Sequence, residues 1–183
     1  MELKKVMRNG HLDQGLRALA VDIRNKLGDH ITLVEIGSYM GESAEIFAQE
    51  LPNSKIICID PWEGGFDKKD PCSYDNYSEV ERQFNLRFHK YRNIEKRKGY
   101  STSFKIKCDV IYIDGRHSYE GVKEDILHWS PYVKSIFSGH DYYDVNSQTY
   151  INHPHIQGVK IAVDEMFTNP DNTYQDSSWI KYL

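Results

Sequence analysis

The apolar positions of the chain change period repeatedly, and the changes mark out its elements. Ile31 to Ile36 and Lys55 to Ile59 are short, nearly continuous apolar runs, the pattern of strands buried on both faces. Between them Ser43 opens a stretch with Ile46, Phe47 and Leu51 at helical spacing, which Pro52 stops. Upstream, Leu16, Leu19, Ala20, Ile23 and Leu27 give Asp13 to Leu27 one apolar helical face, with Gly28 as its C-terminal stop. Downstream, Tyr77 to His89 reads as a helix with Val80, Phe84 and Phe88 on one side, Asn93 to Lys96 as a short strand, and Asp109 to Ile113 as a buried strand. Tyr119, Val122, Ile126 and Trp129 mark a helix that ends before Pro131. Lys134 to Ser138 then predicts a strand, Val159 to Phe167 a helix, and Trp179 to Leu183 a last, antiparallel edge strand. Strands alternating with helices imply an α/β chain with a doubly wound, mostly parallel, Rossmann-like sheet.

Ligands of such sheets bind beyond the carboxyl ends of the strands, and the first strand end is the most informative. The run Val34-Glu35-Ile36-Gly37-Ser38-Tyr39-Met40-Gly41-Glu42-Ser43 is a strand, a turn with two glycines and a helix start. The next strand ends in Asp60, followed by Pro61 and Trp62. Strand, glycine turn, helix, strand and terminal acid form a βαβ unit suited to a nucleoside, the plain alternative being a turn that only joins strand to helix. A dinucleotide site places a glycine where Tyr39 stands, so that the pyrophosphate can approach the backbone. Glu35, just before the turn, suits a cation better, and Asp60 can accept from both ribose hydroxyls. S-adenosylmethionine (SAM), a nucleoside with a sulfonium and an ammonium group, fits these residues.

The same run resembles motif I of class I SAM-dependent methyltransferases, and Ile57 to Trp62 resembles that fold's second motif. The run Asp109 to Val122, with Asp114-Gly115-Arg116-His117-Ser118-Tyr119-Glu120-Gly121 inside it, is more specific. With Gly139-His140-Asp141-Tyr142 and Gly158 to Glu165, it resembles the small bacterial methyltransferase group related to macrocin O-methyltransferase and cephalosporin hydroxylase. The resemblance spans about Leu19 to Phe167, with five motifs in order. It implies the class I methyltransferase fold, SAM as cofactor and an acceptor hydroxyl on a sugar or other small polar metabolite. It also implies that Gly99-Tyr100-Ser101 meets the adenine ring, with Tyr100 or Trp62 as a stacking face. The candidate cofactor contacts are therefore Glu35, Gly37, Ser38, Tyr39, Met40, Gly41, Ser43, Asp60, Pro61, Trp62, Gly99, Tyr100, Ser101, Asp114 and His117.

Glu35, Asp60, Asp114 and Asp141 all fall at or just past strand ends, so one sheet edge collects four acids. Crowded carboxylates repel unless a cation is present. The sulfonium answers part of that charge, and a divalent metal could answer the rest. Asp114 and Asp141 should end neighbouring strands, about 4.8 Å apart, and two hard oxygen ligands with open positions suit Mg²⁺. Metal-dependent relatives hold their ion with acids at these two strand ends. Arg116 departs from the pattern: some relatives carry a further acid there, and the arginine is placed to neutralise Asp114 instead. His117 and His140 flank the two aspartates and could take a proton from a hydroxyl. Asp114, His140, Asp141 and His117 are thus the catalytic candidates, and Asp114 and Asp141 the metal ligands. His153-Pro154-His155 resembles a metal pair but lies in a polar stretch without a third ligand and reads as surface.

Glu63 to Asn76 and Tyr142 to Gln157 read as long loops, the first mobile by its composition, and both should shape the acceptor pocket. The chain has 183 residues and net charge −4, which fits one domain over residues 1–183 with a full core. No apolar run approaches a membrane span, and no signal-peptide core follows the charged Met1 to Arg8 segment. Three cysteines without metal spacing read as free thiols in a reducing cytoplasm. Asp114-Gly115-Arg116-His117 stands where nucleic-acid amino-methyltransferases commonly carry an (N/D)-P-P-(Y/F) motif, which argues against base methylation and leaves RNA ribose open; a small molecule, not nucleic acid, is the expected acceptor. Self-association stays open. Two other classes compete: a metal-dependent oxygenase like cephalosporin hydroxylase, and a SAM-binding protein without catalysis.

Overall fold

The computed structural model of the chain describes residues 3–4, 6–66 and 68–183. Five consecutive strands follow the expected alternation: β1 (Thr32–Ile36), β2 (Lys55–Asp60), β3 (Ile94–Lys98), β4 (Cys108–Ile113) and β5 (Val133–Gly139). The helices between and around them are α1 (His11–Leu27), α2 (Glu42–Glu50), α3 (Tyr77–Phe88) and α4 (Tyr119–Trp129). After β5 come α5 (Gln148–Asn152), α6 (Gln157–Phe167), β6 (Asn172–Thr173) and β7 (Trp179–Tyr182). The sheet order is β3-β2-β1-β4-β5-β7-β6, parallel through β5 and antiparallel at β7 and β6.

Period-two alternation divides the strands between two apolar layers. Leu33, Ile56, Cys58, Val110 and Tyr112 face a core completed by Leu16, Leu19 and Ile23 of α1 and Phe47 of α2. Val34, Ile57, Ile59, Ile111 and Ile113 face the other, against Val122, Ile126 and Trp129 of α4 and Val159 and Val163 of α6. Each fully buried aliphatic or aromatic side chain contributes about 1.5–3 kcal/mol, so the sheet is fixed from both sides. Gly158 lets α6 sit against the start of α4: a Cβ there would lie 2.1 Å from the Tyr119 amide nitrogen.

Three expectations change. Trp179 to Tyr182 forms the expected antiparallel strand at this side of the sheet, but the outermost place beside Trp179 and Ile180 is taken by Asn172–Thr173, which folds back onto them. Trp179 and Ile180 are fully buried, one in each apolar layer. Glu63 to Asn76 is not simply a mobile loop. Asp70 and Ser73 in it are buried, and the Asp70 carboxylate accepts from the Cys72 amide at 2.8 Å, capping a 3₁₀ turn over Pro71–Tyr74; Asp67 lies outside the described residues. The stretch after Asp141 carries the short helix α5, capped by Ser147.

The registers bring the functional strand ends level. Ile36 pairs with both Ile59 and Ile113, and Ile113 with Gly139. The residues that follow these positions, Gly37, Asp60, Asp114 and His140, therefore share one edge.

Candidate active site

The glycine turn is shaped by a close approach. Gly37 has φ +82°, and a Cβ on it would lie 2.1 Å from the Asp114 carbonyl oxygen, so only glycine lets β1 leave the sheet beside β4. Tyr39 follows at φ +46°, an uncommon backbone state for a bulky residue and one that recurs at functional sites. Its hydroxyl donates to Asp75 at 2.5 Å, which ties the turn to the loop after β2. Beneath the turn Glu35 is wholly buried, and among the described residues neither carboxylate oxygen has a hydrogen-bond partner. Burial pushes its pKa up, moderated by the nearby Ser38, Ser43 and Cys58 side chains. The Ser38 hydroxyl is also buried without a partner. Such groups are rare in native proteins and point to an absent donor or cation.

Asp60 ends β2 facing the same space. One oxygen accepts from the Tyr39 amide at 2.9 Å and the other from the Trp62 amide at 2.6 Å. Each oxygen keeps lone-pair capacity for a further donor. Burial raises its pKa despite those two bonds. Trp62 does not stand as a stacking face. It has φ +49°, is 4% exposed, packs on Phe84 and donates its indole N–H to the Tyr39 carbonyl at 2.9 Å, so it supports the turn from below.

A cavity of about 610 Å³ opens over these strand ends, within the usual range for small-molecule sites. Its wall includes Gly37, Ser38, Tyr39, Met40, Ser43, Asp60, Pro61, Tyr100, Ser101, Asp114, His117, His140 and Asp141 from the sequence candidates. Glu35, Gly41, Trp62 and Gly99 lie behind it. His153 and His155, which read as surface, also line the cavity, with Tyr143 and Thr149.

At the ends of β4 and β5 the acids and histidines meet. Asp114, His140 and Asp141 each offer a ligand atom, all within 4.8 Å of one another. His140 Nδ1 lies 3.1 Å from Asp141, and Asp141 has φ +60°. His117 meets Asp70 through Nδ1 at 2.9 Å, while Nε2 faces Asp141 at 3.3 Å and Asp114 at 3.6 Å. Burial alone would lower the His117 pKa, but Asp114, Asp70 and Asp141 outweigh it and hold it well above the ordinary value. The three carboxylates thus favour the protonated imidazole, which suits His117 to holding them in place. For Asp114 and Asp141 burial works upward and is outweighed by the histidines and Arg8, so both carboxyls lie below their usual range.

Arg8 is the residue that sequence reasoning missed. It is 5% exposed, and its guanidinium donates to Asp114 at 2.8 Å, to Tyr112 at 3.3 Å and to Asp176 at 3.4 Å. The amides of Val6, Met7 and Arg8 all donate to the Glu42 carboxylate, which fastens this segment to the start of α2. Arg116, expected beside Asp114, pairs with Glu124 instead. Asp70 and Asp176 were also missed. Among these, only a structure joins an N-terminal arginine to a strand end more than a hundred residues away.

Residues 34–142 match the family model of a methyltransferase domain, which is more than half of the chain. The chain belongs to this methyltransferase family. It is a class I SAM-dependent methyltransferase in fold and family, as the resemblance implied. The Bacillus cereus O-methyltransferase solved with S-adenosylhomocysteine (SAH) superposes with a TM-score of 0.59 at 14% identity, covering 96% of this chain and 82% of that one. A candidate caffeoyl-CoA O-methyltransferase of Staphylococcus aureus gives 0.63 at 14%, over 91% and 81%. A SAM-dependent methyltransferase of Geobacter sulfurreducens, also with SAH, gives 0.54 at 16%, over 74% and 50%. Comparison with curated proteins returns no match. Among the described residues, no helix of this methyltransferase is long and apolar enough to cross a membrane.

The site fits the cofactor of its family. The unpartnered Glu35 and Ser38 lie under the turn, and Asp60 has open acceptor capacity one strand away. The donor set at Asp114, His140 and Asp141, two carboxylates and an imidazole, fits a divalent ion as well.

Proposed function

We propose that this methyltransferase transfers the methyl group of SAM to a hydroxyl of a sugar or other small polar metabolite, acting as one domain over residues 1–183. The observation that carries the reading is the meeting of Asp114, His140 and Asp141 on the wall that the glycine turn also lines. Asp60 takes the ribose hydroxyls through its free lone pairs. The acids around the turn favour the cationic tail. Tyr143, Thr149 and His155 bound the room left for the acceptor. In the transfer an oxygen–methyl bond forms as the sulfur–methyl bond breaks, SAH departs, and the hydroxyl proton passes to a base. Asp114, His140 and Asp141 would hold a divalent ion such as Mg²⁺, which when bound lowers the pKa of an acceptor hydroxyl. His117, held by Asp70, keeps the two aspartates oriented. The unpaired thiols of Cys58, Cys72 and Cys108 fit a reducing, cytoplasmic setting.

A second, metal-free reading has an observation in its favour: Arg8 already supplies Asp114 with a cation at 2.8 Å. His140 would then take the proton. Labelled SAM offered with a panel of hydroxyl acceptors, with and without chelator, tests both. Loss of transfer in chelator, restored by Mg²⁺ or Mn²⁺ and abolished in Asp141→Asn with SAH affinity kept, supports the metal reading. Full activity in excess chelator, lost in His140→Ala by about 10²–10⁴-fold, supports the second. No transfer to any hydroxyl, with transfer to an amine or thiol instead, refutes both.

A further inference from the structure

We propose that Asp125, on α4, accepts a hydrogen bond from the exocyclic amine of the cofactor's adenine ring and so selects the base. The proposal rests on the SAM site described above and names a residue outside the family's glycine turn and strand-end acid.

Asp125 lies where an acid is least expected. Val122, Ile126 and Trp129 form the buried face of α4, and Asp125 sits among them, three residues after Val122 and four before Trp129. It is 2% exposed, belongs to the cavity wall, and its Oδ1 has no hydrogen-bond partner among the described residues. Burial pushes its carboxyl up to about 6; a hydrogen bond from the Ser101 hydroxyl and the charge of Arg116 offset this only in part and leave Oδ1 without a donor among the described residues. Arg116 is committed to Glu124. A buried acceptor left in this state calls for a donor from the cavity.

The location says which donor. The Gly99 amide donates to the Asp60 carbonyl at 3.0 Å, so Tyr100 and Ser101 continue the wall directly beside the ribose acid. Ser101 in turn accepts the Trp129 indole N–H at 2.8 Å, which ties α4 to that wall. Asp125, one turn before Trp129, therefore flanks the nucleoside end of the cavity. The methyl-bearing end must point to Asp114 and Asp141, where the acceptor hydroxyl sits. Asp60 accounts for the ribose hydroxyls. The purine ring nitrogens N1, N3 and N7 are acceptors and cannot satisfy a carboxylate. The 6-amino group is the donor that remains; a 6-oxo purine has its donor at N1 instead and turns an acceptor oxygen toward a carboxylate set on position 6, so Asp125 favours the amine by repelling that oxygen.

Equilibrium binding of SAH and of its 6-oxo counterpart, S-inosylhomocysteine, at about pH 8, where the carboxyl is ionised, tests this. Wild type should prefer SAH by about 10-fold or more. Asp125→Ala should weaken SAH by a similar factor and leave the 6-oxo ligand nearly unchanged. Asp125→Asn, whose amide can donate to the 6-oxo group, should reduce the preference by about 10-fold. Thermal melting and circular dichroism of each variant check that it folds; the Asn variant keeps the shape and removes a buried charge. An unchanged preference in Asp125→Asn, or equal weakening of both ligands in Asp125→Ala, overturns the proposal and leaves Asp125 as a support for Ser101. Wild type that binds neither ligand overturns the SAM site itself, and this proposal with it.

Discussion

Replacing Arg8 by methionine should cost this enzyme more stability than any single change at its exposed surface. The guanidinium is buried between Asp114 at 2.8 Å and Asp176 at 3.4 Å, and Asp176 is 1% exposed. Methionine fills much of the same space, so the main loss is charge. Removing one partner of a buried ion pair leaves an uncompensated charge and typically costs about 3–5 kcal/mol. At about 2–4 °C per kcal/mol for a chain of this size, the midpoint should fall by about 6–20 °C. The amide bonds of Val6, Met7 and Arg8 to Glu42 are made by the main chain and survive the substitution. The direction with pH is also fixed. The Asp114 carboxyl is held low, with burial opposed and outweighed by His140, His117 and Arg8. Its stabilising contribution is present above the unfolded value and lost as pH falls through the folded one. The gap between wild type and Arg8→Met should therefore be full at neutral pH and shrink in acid. Urea denaturation across that range measures it. A variant within about 1 kcal/mol of wild type at neutral pH would refute the reasoning, because it would mean that water reaches Asp114 and Asp176 without help.

Two further outcomes follow from the cofactor side. Asp60→Asn should weaken SAH by about 10- to 100-fold, since an amide offers the ribose a neutral acceptor and its NH2 must face either the Tyr39 or the Trp62 amide, where an acceptor stood; calorimetry reads the loss, and unchanged affinity would place the ribose elsewhere. Gly37→Ala should abolish SAH binding and lower stability by about 2 kcal/mol or more, because its Cβ would enter the Asp114 carbonyl at 2.1 Å from a left-handed backbone; a thermal midpoint equal to wild type would contradict the close approach.

The fold was legible because its signals are local. Strand periodicity, Gly28 and Pro131 placed the elements nearly where they are, with boundaries moved by one or two residues in β3, β5 and α6. β6 was not legible: two residues, Asn172 and Thr173, carry no period, and their pairing with β7 is a tertiary event. The acids at the strand ends were readable for the same reason as the strands. What they touch was not. Arg116 stands two residues from Asp114 yet turns to Glu124, while Arg8 arrives from the N-terminus. Asp70 belongs to a stretch whose composition says loop, and only its contact with His117 shows it as part of the site. Asp125 is the exception among the missed residues. An acid on the apolar face of an amphipathic helix is visible in the sequence alone, and it marks a buried carboxylate before any coordinates are consulted.

The division of charge around the cavity bears on what it binds. Asp70, Asp114 and Asp141 have carboxyls held low by neighbours that outweigh burial: His117 for Asp70, and His140, His117 and Arg8 for the other two. Glu35, Asp60 and Asp125 are instead held high by burial. The acids are thus balanced by their neighbours around Asp114 and Asp141 and left unbalanced at Glu35, Asp60 and Asp125. An anionic dinucleotide would add charge of the same sign beside Glu35 and Asp60, and its pyrophosphate would meet Tyr39 where a glycine is needed. A nucleoside with a net positive tail supplies what that side lacks, and its amine supplies the donor that Asp125 lacks. Raised pKa values make the unbalanced acids tolerable, because each can hold its proton when no partner charge is near. With such a ligand Glu35 would gain a cation, Asp60 the ribose donors and Asp125 the amine, without the protein having to release a partner.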